Sequence, residues 1–210
     1  MMTDGISRES YRNALADRIG REAADALDGS TVGIAGLGGL GSNIALLLAR
    51  SGVGKLVIAD FDTVEIPNIH RQNYPLSSLR MKKTDAITAE IERVNPWCSV
   101  EGHDIKLDRD NTSIFSECDI VCEALDDAGQ KIMLIESLSA MGKTVISGNG
   151  MAGLGDANSI VTRKVGDRLY ICGDGGSDVK EVGSLSATRV AVCAAHQANA
   201  AVRLLLGMEP

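Results

Sequence analysis

The chain has 210 residues, a net charge of −7 and a pI near 5.0. That length suits one α/β domain with a small appendage and is ample to bury a core, which must be aliphatic because aromatics make up only 3% of the residues. The acidic balance argues against DNA or RNA as a partner, since phosphate backbones require a basic surface. No basic leader opens the chain and no apolar run approaches ~20 residues, so no membrane partner and a cytoplasmic location are expected.

Residues 7–27 place Tyr11, Leu15, Ile19, Ala23, Ala26 and Leu27 at helical spacing, which predicts one helix ended by Asp28-Gly29-Ser30. This segment, residues 1–30, reads as a helical arm outside the main domain, residues 31–210. A short apolar strand over 32–35 then runs into Gly36, Gly38, Gly39 and Gly41. A helix over 42–51 and a second strand over 55–59 follow, and the strand ends on Asp60. Strand, glycine turn, helix, strand and acidic residue form the first unit of a dinucleotide-type fold.

Residues 61–80 contain Pro67 and Pro75 and read as a long irregular loop, a length that usually carries function. Helices are predicted over 82–94, 111–117 and 129–141, and strands over 99–105, 119–125 and 143–147. A glycine-rich stretch covers 148–155. Strands over 159–164 and 168–172 form a hairpin around Gly166-Asp167. A polar glycine loop, 173–183, leads to a final helix over 184–206. That helix is apolar nearly all round, so it should be buried against the sheet or a second subunit. The alternation predicts an α/β, Rossmann-like, mainly parallel sheet with helices on both faces and an antiparallel extension at the C-terminal end.

In such a sheet a ligand sits beyond the carboxyl ends of the strands. The first strand delivers the glycines, whose backbone N–H groups can hold anionic phosphate. The second delivers Asp60, spaced from the glycines as a ribose-binding acid should be, and the fourth delivers Asp126 and Asp127. NAD, FAD, SAM and ATP all remain compatible to this point. The loop then offers Asn68, Arg71, Gln72 and Asn73, with Arg80, Lys82 and Lys83 at the next helix start. Several cations beside a nucleotide favour a triphosphate, whose charge Arg, Lys and Mg²⁺ must neutralise. A strand-end Asp126 suits Mg²⁺. A nicotinamide oxidoreductase could use the same fingerprint, yet no residue set for hydride transfer is visible.

Cysteines at 98, 118, 122, 172 and 193 form no C-x-x-C pair, and three histidines show no zinc-ligand spacing, so no zinc site is expected. Cys118 and Cys122 read as small apolar core residues, and His196 as a hydrogen-bonded packing residue.

The string GLGGLGS from Gly36, SGVGK from Ser51 and D-F-D-x-V-x-x-x-N-x-x-R-Q from Asp60 together resemble the ThiF/MoeB/HesA family, bacterial relatives of ubiquitin-activating enzymes. The likeness runs from about Val32 to Gly207 and takes in Leu125-Asp126-Asp127, the 148–155 stretch and the helix after Gly183. Chain length makes it most like the short ThiF type, linked to thiamine biosynthesis. The resemblance implies ATP-dependent adenylation of the C-terminal glycine carboxylate of a small ubiquitin-fold sulfur carrier with a Gly-Gly tail. It implies Mg²⁺ and a homodimer as well.

Carried over residue by residue, Gly39 would lie on the nucleotide and Asp60 on the ribose, with Asp62 beside it. Asn68, Arg71 and Gln72 would serve ribose and phosphates, Lys83 would be the phosphate lysine, and Asp126 would hold Mg²⁺. Asp127 would sit near adenine or phosphates in place of the family's asparagine. Arg12 is the candidate for an arginine that the family lends across its dimer. The family's paired zinc cysteines are reduced here to Cys172, and the 173–183 loop lacks a cysteine for a covalent carrier bond. A relative that adenylates a modified tRNA carboxylate, or a peptide, is the alternative within the family, and the acidic balance argues against tRNA.

Overall fold

The structure, a computed structural model, describes residues 5–210. Strands β1 (Thr31–Ala35), β2 (Lys55–Ala59), β3 (Ser99–His103), β4 (Ile120–Glu123), β5 (Thr144–Gly148), β6 (Val161–Lys164) and β7 (Leu169–Gly173) form one sheet, ordered β3-β2-β1-β4-β5-β7-β6. All neighbours are parallel except β6 and β7. The antiparallel C-terminal extension is the β6–β7 hairpin, with β7 crossing over to run parallel to β5. Order reverses between β1 and β4, the switch point beyond whose carboxyl ends such sheets hold their ligands.

Alternate residues sort onto two faces. Val32, Ile34, Leu56, Ile58, Cys122 and Ile146 meet helices α3 (Gly39–Ser51), α4 (Lys83–Val94) and α7 (Ala187–Leu205) in one core. Val57, Val121 and Val145 meet α5 (Ala128–Ala140) and Phe115 in the other. Gly33 is needed there, because a Cβ would lie 2.7 Å from the Phe115 ring. Side chains such as Ile44, Leu48, Leu134 and Leu138 are fully buried, each contributing about 1.5–3 kcal/mol.

Three sequence expectations give way. The N-terminal helix is two helices, α1 (Arg8–Ile19) and α2 (Arg21–Asp28), broken at Gly20 with φ 91°. Residues 111–117 supply only a 3₁₀ turn, Thr112–Phe115, since one turn offers too few helical bonds to propagate. The 173–183 loop holds a short helix, α6 (Val179–Val182), capped by Asp178. Helix α7 buries Val190, Cys193, Ala194, Gln197, Ala198 and Ala201 on one face, while Ala195 and Asn199 lie exposed. Among the described residues no helix is long and apolar enough to cross a membrane.

Candidate active site

The glycines divide into those the fold needs and one it does not. Gly36 has φ 88°, and a Cβ there would meet Ala124 O at 2.8 Å. At Gly41 a Cβ would fall 1.8 Å from Gly36 O, so only glycine lets α3 start this close to β1. Gly39 is pressed between Val190 and Arg71. Gly38 differs: its φ is −72° and a Cβ would meet nothing nearer than Gln72 Nε2 at 3.9 Å. Its open side lies beside an α3 N-terminus that no side chain caps. Uncapped N–H groups at a helix start form an anion cradle.

The turn is pinned before any ligand arrives. Leu37 N–H donates to Asp60 Oδ2 at 2.6 Å, and Leu37 O accepts from the Tyr74 hydroxyl at 2.8 Å. Burial raises the Tyr74 phenol far above its ordinary pKa, as do the charges of Asp60 and Asp62, so it stays a donor. Ser42 Oγ donates to Gly38 O at 2.7 Å and accepts from Asn73 N at 3.0 Å, while Asn43 Nδ2 donates to Gly39 O at 2.7 Å. These bonds sew residues 68–74 to the start of α3. Tyr74, Ser42 and Asn43 were not singled out from sequence, because their partners are backbone groups distant along the chain.

Asp60 is nearly buried and also accepts from Asp62 N–H at 2.8 Å. Lys83 is 4% exposed, with its ammonium 2.6 Å from Asp62 and 3.7 Å from Asp60. Of the three cations at the start of α4, only Lys83 turns inward. Lys82 pairs with Asp104 at 3.0 Å, and Arg80 is exposed in the left-handed region at φ 69°. Arg71 is steadied by Asn68 Oδ1 at 3.1 Å and Pro67 O at 3.3 Å. Burial lowers its pKa from the ordinary value, against the opposing field of Asp126. Gln72 is buried, and its Oε1 has no partner.

Asp127 takes up a helix-capping position. It caps α5, accepting from Gln130 N–H at 2.9 Å, because the first turn of a helix needs an acceptor there. Asp126, next to it, is exposed and lies within electrostatic reach of Arg71. Arg12 is not brought to the site in its own chain. It pairs with Asp25 at 2.8 Å and Asp28 at 3.5 Å, close to Gly52 and Trp97 at the amino-terminal end of the sheet. Cys172 is fully buried and its thiol is pushed up to about 11, by burial first, against a hydrogen bond from Thr162. His196 Nδ1 meets the same Thr162 hydroxyl at 3.1 Å, a packing role as expected.

The donor set fits a nucleotide triphosphate. The cradle at Gly38 has room, Gln72 leaves its Oε1 acceptor free for a hydroxyl or amino group of the nucleotide, and Arg71 supplies a forked cation. Asp126 fits Mg²⁺, which is commonly held by one or two carboxylates together with substrate phosphates. Among the described residues no three His, Cys, Asp or Glu side chains gather into a metal cluster of their own.

Sheet order, glycine turn and strand-end acid define a Rossmann-like domain. The model of the ThiF family matches residues 11–210, and the chain belongs to that family. The tRNA threonylcarbamoyladenosine dehydratase of Bacillus subtilis is 37% identical over 144 residues, 67% of this chain and 56% of that protein. The adenylyltransferase and sulfurtransferase uba4 of Ogataea parapolymorpha is 31% identical over 142 residues, 67% of this chain and 36% of that protein. The chain thus spans between about a third and somewhat over half of these relatives.

Among solved structures, E. coli tRNA N6-threonylcarbamoyladenosine dehydratase, in complex with AMP, superimposes with TM-score 0.85. It is 20% identical, with 96% of this chain and 97% of that one covered. E. coli MccB with ATP gives TM-score 0.70 at 21% identity over 99% of this chain and 66% of that one. At these identities the likeness bears on the fold.

Proposed function

We propose that this chain activates a carboxylate with ATP, and that its substrate is the C-terminal glycine of a small ubiquitin-fold sulfur carrier. The observation that carries the reading is the glycine turn at the switch point: Gly38 is open beside Gln72, Arg71 packs on Gly39 and is steadied by Asn68, and Asp126 lies within electrostatic reach of Arg71. A carboxylate oxygen attacks the α-phosphorus of ATP, the α–β bridging bond breaks, and pyrophosphate leaves with its electron pair. The carboxylate is ionised at neutral pH, so no general base is required. That accords with a site holding cations and donors and no acid–base dyad. Arg71 and the Gly38–Gly39 amides would hold phosphate oxygens and stabilise the charge that grows in the transition state. Mg²⁺, held by Asp126, would neutralise phosphate charge. Lys83 would turn from Asp62 to phosphate as the nucleotide enters.

Cys98, Cys118, Cys122, Cys172 and Cys193 are all buried. That favours direct release of the acyl-adenylate to a nucleophile from another molecule over capture by a thiol of this chain. A second reading, adenylation of a carboxylate on modified tRNA, is favoured by the likeness to the two dehydratases. The net charge of −7 weighs against it.

ATP–pyrophosphate exchange with a carrier ending in Gly-Gly tests the proposal. Exchange that depends on the carrier and falls by at least a hundredfold in Arg71→Ala is expected. Tight tRNA binding with no exchange from any carrier would move the substrate to tRNA. Retention of full exchange by Arg71→Ala would remove Arg71 from the reaction.

A further inference from the structure

Glu123, the last residue of β4, is fully buried, and no part of the reading above uses it. Its carboxylate accepts from Ser147 Oγ at 2.5 Å, from Lys131 Nζ at 2.7 and 3.0 Å, and from Leu125 N–H at 2.7 Å. Lys131, on α5, also donates to Gly148 O at 2.9 Å. One charged pair thus ties together the carboxyl ends of β4 and β5 and the first turns of α5.

Such a pair is a weak source of stability, because desolvating both charges offsets most of their attraction. What it fixes is local geometry. Leu125 N–H is held by Glu123, and two residues on Asp127 is held by the Gln130 amide. Between them Asp126 is exposed and appears in no side-chain hydrogen bond or ion pair among the described residues. An unengaged carboxylate on a backbone anchored at both flanks is a prepared ligand: its position is set while its oxygens stay available.

We infer that Glu123 and Lys131 are positioning residues for Asp126, setting it to receive the divalent cation that accompanies the nucleotide. The inference rests on the proposed role of Asp126 and deepens it. It makes the coupling between Mg²⁺ and ATP, rather than ATP affinity alone, the quantity the pair controls.

Calorimetric titration of the full chain with ATP, once with saturating Mg²⁺ and once in EDTA, gives that coupling as a ratio of Kd values without turnover. In the wild type Mg²⁺ is expected to tighten ATP at least tenfold. In Glu123→Gln the ratio should fall below threefold while the EDTA value stays within twofold, as in Asp126→Asn. Lys131→Met should lower the ratio as Glu123→Gln does, whereas Lys131→Arg should keep most of it. The uncharged pair Glu123→Gln with Lys131→Met keeps a similar volume and provides the reading if the single variant fails to fold. A folded variant with the wild-type ratio would overturn the inference, and so would a wild-type ratio of one. Absence of pyrophosphate exchange in the wild type with the ratio intact would instead count against the adenylation reading.

Discussion

Gly38 and Gly41 lie three residues apart in one turn, and alanine at each should fail in opposite ways. At Gly41 the new Cβ would stand 1.8 Å from a backbone oxygen, which no rotamer change can move. A clash with backbone takes the upper end of the overpacking cost, about 3 kcal/mol, and the better helix propensity of alanine returns about 1. A net loss of about 2 kcal/mol lowers Tm by roughly 4–8 °C in a chain of this size.

At Gly38 the Cβ meets no protein atom within 3.9 Å, so Tm should move by about 2 °C or less. The methyl instead fills the cradle. Losing one charge-assisted bond there, worth about 1.5–3 kcal/mol, weakens ATP binding roughly ten- to hundredfold. Scanning calorimetry and ATP titration of both variants read the two effects separately. Wild-type ATP affinity in Gly38→Ala would refute the cradle, and an unchanged Tm in Gly41→Ala would refute the close approach.

Tyr74→Phe removes the donor to Leu37 O in a buried turn. A loss of about 1–2 kcal/mol is expected, seen as a Tm lower by roughly 2–8 °C, together with weaker ATP binding. Asp174 gives a pH dependence. Burial by itself would raise its carboxyl. The Ser177 hydroxyl, the Ser177 and Gly176 amides and Arg189 outweigh that and hold it well below the usual range. A depressed folded-state pKa adds stability above the unfolded value, near 4, that is lost as pH falls below it. Thermal melts between pH 7 and pH 2.5 should therefore show a steeper acid loss in the wild type than in Asp174→Asn, and parallel curves would exclude the contribution.

The sheet was legible because β1, β2 and β4 are short apolar runs ended by glycine or acid. The glycine string, Asp60 and Arg71 lie close enough in sequence to read as one unit. Gly20 was not read as a break, since Leu15, Ile19, Ala23 and Leu27 keep helical spacing across it. A strand-end acid before a helix suits a cap as well as a ligand, and Asp127 takes the cap. Glu123 and Lys131 went unread because their meeting depends on the sheet and α5 together. Even so, a glutamate inside the apolar run DIVCEAL was itself a signal, as a buried charge requires a partner. Arg12 carries no local mark that separates a surface ion pair from a reach across subunits.

Lys83 has a wider consequence. Enclosed by Asp60 and Asp62, its charge is offset within the protein until a nucleotide draws it away. Counting Asp60, Asp62 and Asp126 against Lys83 and Arg71, three negative groups and two positive ones lie at the turn or within electrostatic reach of it, a balance of −1. A bare polyanion approaching this turn meets a field of its own sign. It gains entry by bringing positive charge with it, so occupancy of the site should follow divalent-cation concentration more steeply than it follows nucleotide alone.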